Sequence, residues 1–410
     1  MPDGPSGTKP SPSQRNERPT LHSRSGPVLL ALALIPGLGH LLLGRRRRGL
    51  HLLLFTGGML SILALRWETF VEVFSSPAID EWLASRFLLA AVAGGVLFSV
   101  LDVRRLVGSG EGEEPAASTS EISRGLSPFR MALHRFSANG LAVAAAYVIV
   151  SFYLVALLAP ILAPYDPTAI ENVLDTRYLS PSPAHLFGTD EFGRDLFSRA
   201  VYGARVSLAV GLLAVLIAVS FGTVYGAVAG YVGGVVDNLL MRLVDVIIAF
   251  PTFFLMLMLV GVFEANVVFL VLILGFTSWT GTARFIRGEI LSLKERDFIE
   301  SARVIGLPSH LIIMRHLIPN AMAPVLVSAA LMVGGMIAAE AGLSFLGIGI
   351  RPPTPSWGNM ISAGQDALLV AWWVALFPGL LLAATILCFN LLADGLRDAL
   401  DPKTLMRKYV

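Results

Sequence analysis

Six stretches in the last two thirds of the chain contain no Asp, Glu, Lys or Arg: 141–163, 206–230, 246–263, 265–283, 321–339 and 367–393. A helix needs about 20 apolar residues to cross the hydrocarbon core, and a charge at its centre is costly, so the runs predict membrane-spanning helices. They are too long for barrel strands, and backbone groups in lipid must be paired within their own segment. Three shorter apolar runs precede them at 27–43, 49–65 and 87–101. The string "GRRRRG" between the first two predicts a cytoplasmic turn. Run 27–43 is broken by "IPGLG". If it spans, the basic tail lies outside, against the positive-inside rule; if it is re-entrant or interfacial, the tail stays in the cytoplasm.

The polar segments order these runs. Residues 1–26 are rich in Pro, Ser and Arg without the compact apolar core of a secretory signal, which predicts a disordered tail. Segment 66–86 carries Glu68, Glu72, Asp80 and Glu81 against Arg66 and Arg86, which suits the outer face. Residues 108–138 read as a cytoplasmic linker between an accessory membrane section, 27–107, and a main one, 139–402. In the main section, 164–204 holds six acids against three Arg and is expected outside. Segment 284–320, with Arg284, Arg287, Lys294, Arg296, Arg303 and Arg315, is expected in the cytoplasm, as is the basic C-terminus. No repeat of 20–50 residues is visible, which excludes a solenoid.

Composition agrees, with 55% hydrophobic and 15% charged residues, against about 45–50% and about 25% in an ordinary soluble domain. The net charge of +2 says little about partners. Cys388 is the one cysteine, so no intrachain disulfide can form, and packing is its simplest role. The seven His are scattered without metal-ligand spacing, and no metal site is expected. A P-loop is missing, since none of the four Lys follows a Gly. There is no G-x-S-x-G elbow or H-E-x-x-H helix, and the apolar runs contain no acid or base for intramembrane catalysis. Ionisable residues gather at run ends instead: Asp237, Arg242 and Asp245 before 246–263, and Glu340 after 321–339. The three-residue spacing of Arg242 and Asp245 predicts an interfacial ion pair rather than a proton relay.

Between two apolar runs lies "ESARVIGLPSHLIIMRHLIPN", residues 300–320. From Glu295 to Ile305, Phe298, Ala302 and Ile305 recur at helical spacing with Ile299 beside them. Arg296, Glu300 and Arg303 can pair across the polar face. Gly306 supplies a stop that tolerates a left-handed backbone, and Pro308 suits the first turn of a second helix, 308–317, which Pro319 is expected to end. On periodicity alone, a loop lying on the membrane surface and a docking device are equally good readings. The mixed charges around a Gly turn favour a protein partner over a lipid anchor.

This segment resembles the EAA loop of bacterial ABC importer permeases, in the form of the dipeptide, oligopeptide and nickel permease family. Glu300, Ala302, Gly306 and Pro319 fall in the pattern, while Ser301 replaces an Ala, His316 an Ile and Ile318 a Leu. "HLFGTDEFGRDLFSRAVYGARVSL" (185–208), "AGYVGGVVDNLLMRLVDVIIAFP" (229–251), "EAGLSFLGIGIRPPTPSWGNM" (340–360) and "LFPGLLLAATILCFNLLADGLRDALDP" (376–402) resemble the C-type subunit of that family in order and spacing.

The resemblance implies an all-α polytopic protein of the bacterial cell membrane: a six-helix type I permease core with two to three additional N-terminal segments. It places the ABC transmembrane type-1 region at 205–394 and the EAA loop at 295–319. The expected partners are a B-type permease, two ATPase subunits, an extracytoplasmic substrate-binding protein and membrane lipid, with no nucleic acid. It implies no catalytic residue and no cofactor in this chain. ATPase coupling would fall to Glu300, Ser301, Ala302, Gly306, Pro308, His316 and Pro319, with Glu300 giving charge contacts, Ala302 close approach and Gly306 the turn. An ion-driven transporter is a weaker reading. Gly222, Gly226, Pro251 and Gly275 could break helices around a midplane site, but no midplane carboxylate accompanies them. A membrane hydrolase lacks nucleophile and base.

Overall fold

The structure is a computed structural model that describes residues 35–36, 38, 41, 46–109, 128–170, 172–263 and 266–400. The expected tail 1–26, most of run 27–43, linker residues 110–127 and the C-terminal residues 401–410 lie outside the described residues. The chain divides into two compact units, 1–67 with 86–117, and 68–85 with 118–410. Among the described residues from 46 to 109 lie α1 (Arg46–Leu65), α2 (Trp67–Ser75) and α3 (Ile79–Ser109). Within the first unit α1 and α3 meet closely, since a Cβ on Gly95 would fall 2.1 Å from Thr56 Cγ2. Residues 68–85, expected to belong to the accessory section, instead group with the larger unit. There the Asp80 carboxylate accepts a 2.9 Å hydrogen bond from Arg205.

In the larger unit, α4 (Pro128–Ala138) leads into α5 (Gly140–Leu157), whose first turn is capped by Asn139 accepting from Ala142 N. Short helices α6 (Ala159–Leu162) and α7 (Val173–Thr176) precede α8 (Leu196–Val232). Then come α9 (Gly234–Ile248), α10 (Thr252–Val262) and α11 (Val267–Leu293). Shorter pieces, α12 (Asp297–Val304) and α13 (Ser309–Leu311), precede α14 (Ile318–Phe345), α15 (Trp357–Gln365) and α16 (Trp373–Leu400). In this unit α5, α8, α11, α14 with its preceding turns, and α16 are each long and apolar enough to cross a membrane. The bent pair α9 and α10 together have the length and apolarity of one further crossing.

The tightest packing runs along α8 and α11. Gly222, Gly226 and Gly230 recur every four residues, so they share one face of α8. A Cβ on them would lie 2.7 Å from the Trp279 oxygen, 2.2 Å from that of Ala283 and 3.0 Å from that of Arg287. Small residues at this spacing let backbones approach closely, which drives helix association where lipid removes the usual hydrophobic force. Gly211 admits α14 in the same way, because a Cβ there would fall 2.3 Å from Ile337 Cγ1.

Both residue series rise together, so α8 and α11 are parallel. The chain must therefore return along the bundle between them. The bent pair makes this return, with a 79° bend at residues 249–251. Pro251 lacks an N–H and disfavours a helical residue before it, which explains the break. Run 246–263, expected as one span, is thus part of a broken one, and α10 alone has only 11 residues, about 16 Å of helix.

Arg287 grips Asp237 with two bonds of 2.5 and 2.6 Å, which fixes α9 to α11. Asp245 pairs with Arg284 of α11 rather than with Arg242 as its spacing predicted. A three-residue interval permits a pair on one helix, but it cannot register a guanidinium offered by a neighbouring helix.

At the opposite end, Asp195 caps α8, its Oδ2 accepting from Ser198 N and Ser198 Oγ at 2.8 Å each. Glu340 of α14 is fully buried and accepts from Ser207 of α8 at 2.9 Å and from Ser344 at 2.8 Å. The same two hydroxyls accept from Trp357 N and Ile350 N, so α15 and the loop before it are tied to this carboxyl. A buried polar group is tolerated when it is hydrogen-bonded in this way.

Gly226→Ala should force α8 and α11 apart and cost about 1–3 kcal/mol, read as a lower Tm of the detergent-solubilised protein. Gly288→Ala, whose Cβ would meet nothing within 4 Å, should leave Tm unchanged or slightly raised. Equal Tm values for the two variants would contradict the glycine seam.

Candidate functional site

The segment between α11 and α14 is built by local rules. Asp297 and Glu300 lie in the first turn of α12, where carboxylates favour the exposed amide ends. The helix stops because Gly306 adopts φ +84°. Leu307 N then donates to Ala302 O at 3.1 Å and Gly306 N to Arg303 O at 2.9 Å, the paired bonds of a Schellman turn. Pro308, with extended φ and ψ, stands immediately before α13, and its carbonyl accepts from Leu311 N and Ile312 N.

Pro319 does not end a second helix. The chain passes from α13 through a π-helical turn, Ile312–Leu317, straight into α14, with Pro319 in the first turn of α14. Ile318 N donates to Ile313 O at the close of the π turn, so Pro319 stands at the junction between the π and α ladders, where a missing N–H is tolerated. The turn and the span are therefore one continuous piece.

Ile299, Ala302, Ile312, Ile313 and Leu317 face inward and join Ala227 of α8, Ile286 and Ile290 of α11, and Ala321 and Val325 of α14 in one buried cluster. The expected apolar stripe of Phe298, Ala302 and Ile305 is therefore revised. Ile299 and Ala302 are inside, while Phe298 and Ile305 are exposed. Val304 and Ile305 form an apolar tip, 82% and 78% exposed, at the end of α12. Sequence spacing missed this tip because it assigned Ile305 to the buried face, although the adjacent Gly306 marks a protruding turn.

The expected pairing among Arg296, Glu300 and Arg303 does not occur among the described residues. Arg303 instead lies over the Tyr231 ring, 5.3 Å from its centre, a cation–π contact to the end of α8. Of the residues singled out from the sequence, Glu300, Ser301, Gly306, Pro308 and Pro319 are exposed or half-buried, and Ser301 Oγ bonds back to Asp297 O at 2.9 Å. His316 is half-buried on the π turn. Ala302 is only 4% exposed and packs against the chain itself, so its small size serves the fit of α12 to α11 and α14.

Two family models match the chain. The binding-protein-dependent transport system inner membrane component covers residues 222–406, and the N-terminal TM domain of oligopeptide transport permease C covers 127–181. The oligopeptide transport system permease protein OppC of Escherichia coli (strain K12) is 45% identical over 285 residues, 68% of this chain and 92% of that protein. The glutathione transport system permease protein GsiD of Shigella flexneri serotype 5b (strain 8401) is 44% identical over 278 residues, 67% of this chain and 91% of that protein. The chain belongs to the C-type permease family of ABC importers.

The permease is thus a multi-pass inner membrane protein, and membership of this family sets aside the ion-driven transporter and the membrane hydrolase. Neither family model extends to residues 1–126. The Gly306 turn can be tested in the permease itself. A Cβ at Gly306 would meet nothing within 4 Å, so Gly306→Ala should act through φ alone and cost about 1–2 kcal/mol locally. Gly306→Asn should cost less, because Asn tolerates the left-handed region. Hydrogen exchange at residues 303–308 should quicken in the order wild type, Asn, Ala; identical protection in all three would contradict the strained turn.

Proposed function

We propose that this permease forms half of the translocation pore of an ATP-driven importer of peptides or related small solutes, and that the Gly306 turn receives a cytoplasmic ATPase subunit. The observation that carries the docking role is the exposed tip of Val304 and Ile305, flanked by the charges of Glu300 and Arg303, on a turn rooted in the packed ends of α8, α11 and α14. An apolar centre with a charged rim is the composition of a protein-binding patch. The charge bias of the sequence supports a cytoplasmic position for it.

A partner is required because this chain has no P-loop with which to use ATP. In this reading two ATPase subunits bind below, a B-type permease completes the pore, and a binding protein delivers cargo to the Asp195 end. Closure of the ATPases on nucleotide moves the tip. The buried cluster of Ile286, Ile290, Ile299 and Ile312 makes that tip a rigid extension of the spans, so the displacement reaches the pore. Ala302 and the half-buried His316 belong to the base of this lever, whereas Glu300, Ser301, Gly306 and Pro308 belong to its outer surface. Peptide cargo is favoured by the names of the relatives, one an oligopeptide and the other a glutathione transport permease.

Val304→Asp combined with Ile305→Asp should remove the apolar tip while leaving the cluster intact. The expected outcome is at least about a tenfold loss of cargo uptake, with reduced co-purification of ATPase subunits and an unchanged Tm. Glu300→Arg should act in the same direction. Full uptake and full ATPase binding in both variants would refute the docking role.

A further inference from the structure

A cleft of about 320 Å³ opens between α8, α11 and α14, within the usual range of small-molecule sites, about 300–1,000 Å³. Three hydroxyls line it, those of Ser278, Thr282 and Ser328, all within membrane-spanning helices. A hydroxyl in such a helix ordinarily bonds to a carbonyl of the preceding turn. Thr277 does so to Ile273 O at 2.7 Å, and Ser328 to Pro324 O at 3.2 Å. Ser278 and Thr282 instead reach only thioether sulfurs, Met336 at 3.8 Å and Met332 at 3.7 Å. Sulfur is a weak acceptor, so both hydroxyls retain nearly their whole hydrogen-bonding capacity for something outside this chain.

Facing lipid, that capacity would be wasted at a cost. The remaining wall is apolar, with Phe285 and Met332 prominent, and no charged residue lines the cleft. Val325 lines it too and also belongs to the buried cluster beneath the Gly306 turn, so a displacement of α12 is felt directly in the wall.

We propose that this cleft is a transit site for peptide cargo, in which Ser278 and Thr282 donate hydrogen bonds to backbone carbonyls of the peptide while Phe285 and Met332 take its apolar side chains. Such a site is neutral and indifferent to peptide sequence, which suits passage rather than selection. The proposal rests on the importer reading above and locates the cargo within it.

The test uses the complete transporter in proteoliposomes, with its binding protein and a mixture of short alanine peptides as the probe. Ser278→Ala combined with Thr282→Val should raise the KM for uptake about tenfold while Tm, co-purification of the second permease and binding-protein-stimulated ATP hydrolysis are kept. In a second variant Cys388→Ala is combined with Gly281→Cys, whose side chain would enter open space in the cleft. That thiol should react with a charged, membrane-impermeant thiosulfonate and be protected by the peptides.

Unchanged uptake in the Ser278/Thr282 double variant would overturn the transit site and leave the importer reading standing. Labelling of residue 281 only by a lipid-soluble maleimide would make the cleft a lipid face, and loss of the second permease from the Ser278/Thr282 variant would make it a subunit interface; either result also overturns the proposal. Absence of peptide uptake by the wild-type transporter would instead overturn the peptide-importer reading, and the transit site with it.

Discussion

Three glycines on α8 let the backbone of α11 lie directly against it, with Gly222, Gly226 and Gly230 opposite the carbonyls of Trp279, Ala283 and Arg287. This contact determines much of the remaining architecture. Because the two helices are parallel, the segment between them must retrace the bundle, and it does so as a helix pair broken at Pro251. Because they are close, the ends of α8 and α11 present Ala227, Ile286 and Ile290 as one surface, on which α12 and the π turn can seat Ile299, Ala302 and Ile312. The salt bridges from Arg284 and Arg287 then hold α9 alongside.

The two ends of the bundle are built on different chemistry. At the Asp195 end, polar groups are buried and engaged: Asp190 with Arg194 and Arg199, Asp195 with His185 and Ser198, Glu340 with two serines. Such networks fix a loop in one arrangement, since releasing any member strands the others. Beneath the Gly306 turn the buried cluster is apolar, and beside it the buried Asp237 is engaged by Arg287. In the proposed docking role the exposed tip of Val304 and Ile305 meets the partner and the apolar root beneath it carries the displacement.

Much of this was legible in the sequence, because lipid imposes a simple rule. Uncharged runs had to be helices, and the left-handed turn at Gly306 followed from Gly and Pro punctuation. What escaped the sequence was nearly always a partner on another helix. Gly222, Gly226 and Gly275 read as possible helix breaks, yet each lies inside an unbroken helix at a close approach, whereas Pro251 does break one. Asp245 found Arg284 rather than Arg242 for the same reason. At Pro319 the error was local, since a proline that can stop one helix can equally begin the next. The weakly bonded hydroxyls of Ser278 and Thr282 could not be told from Thr277 without knowing which of them bond back to the helix.

The proposed coupling requires that the Gly306 turn and the α8–α11 seam move as one body. The most direct measurement is a spin-label distance between Ser309→Cys beside the turn and Leu272→Cys on α11, in a Cys388→Ala background and a transporter whose uptake is intact, taken without nucleotide and with ATP trapped. One rigid body predicts an unchanged distance distribution in the two states. A distribution that shifts or splits on ATP binding would show the turn moving independently of the seam and would contradict it.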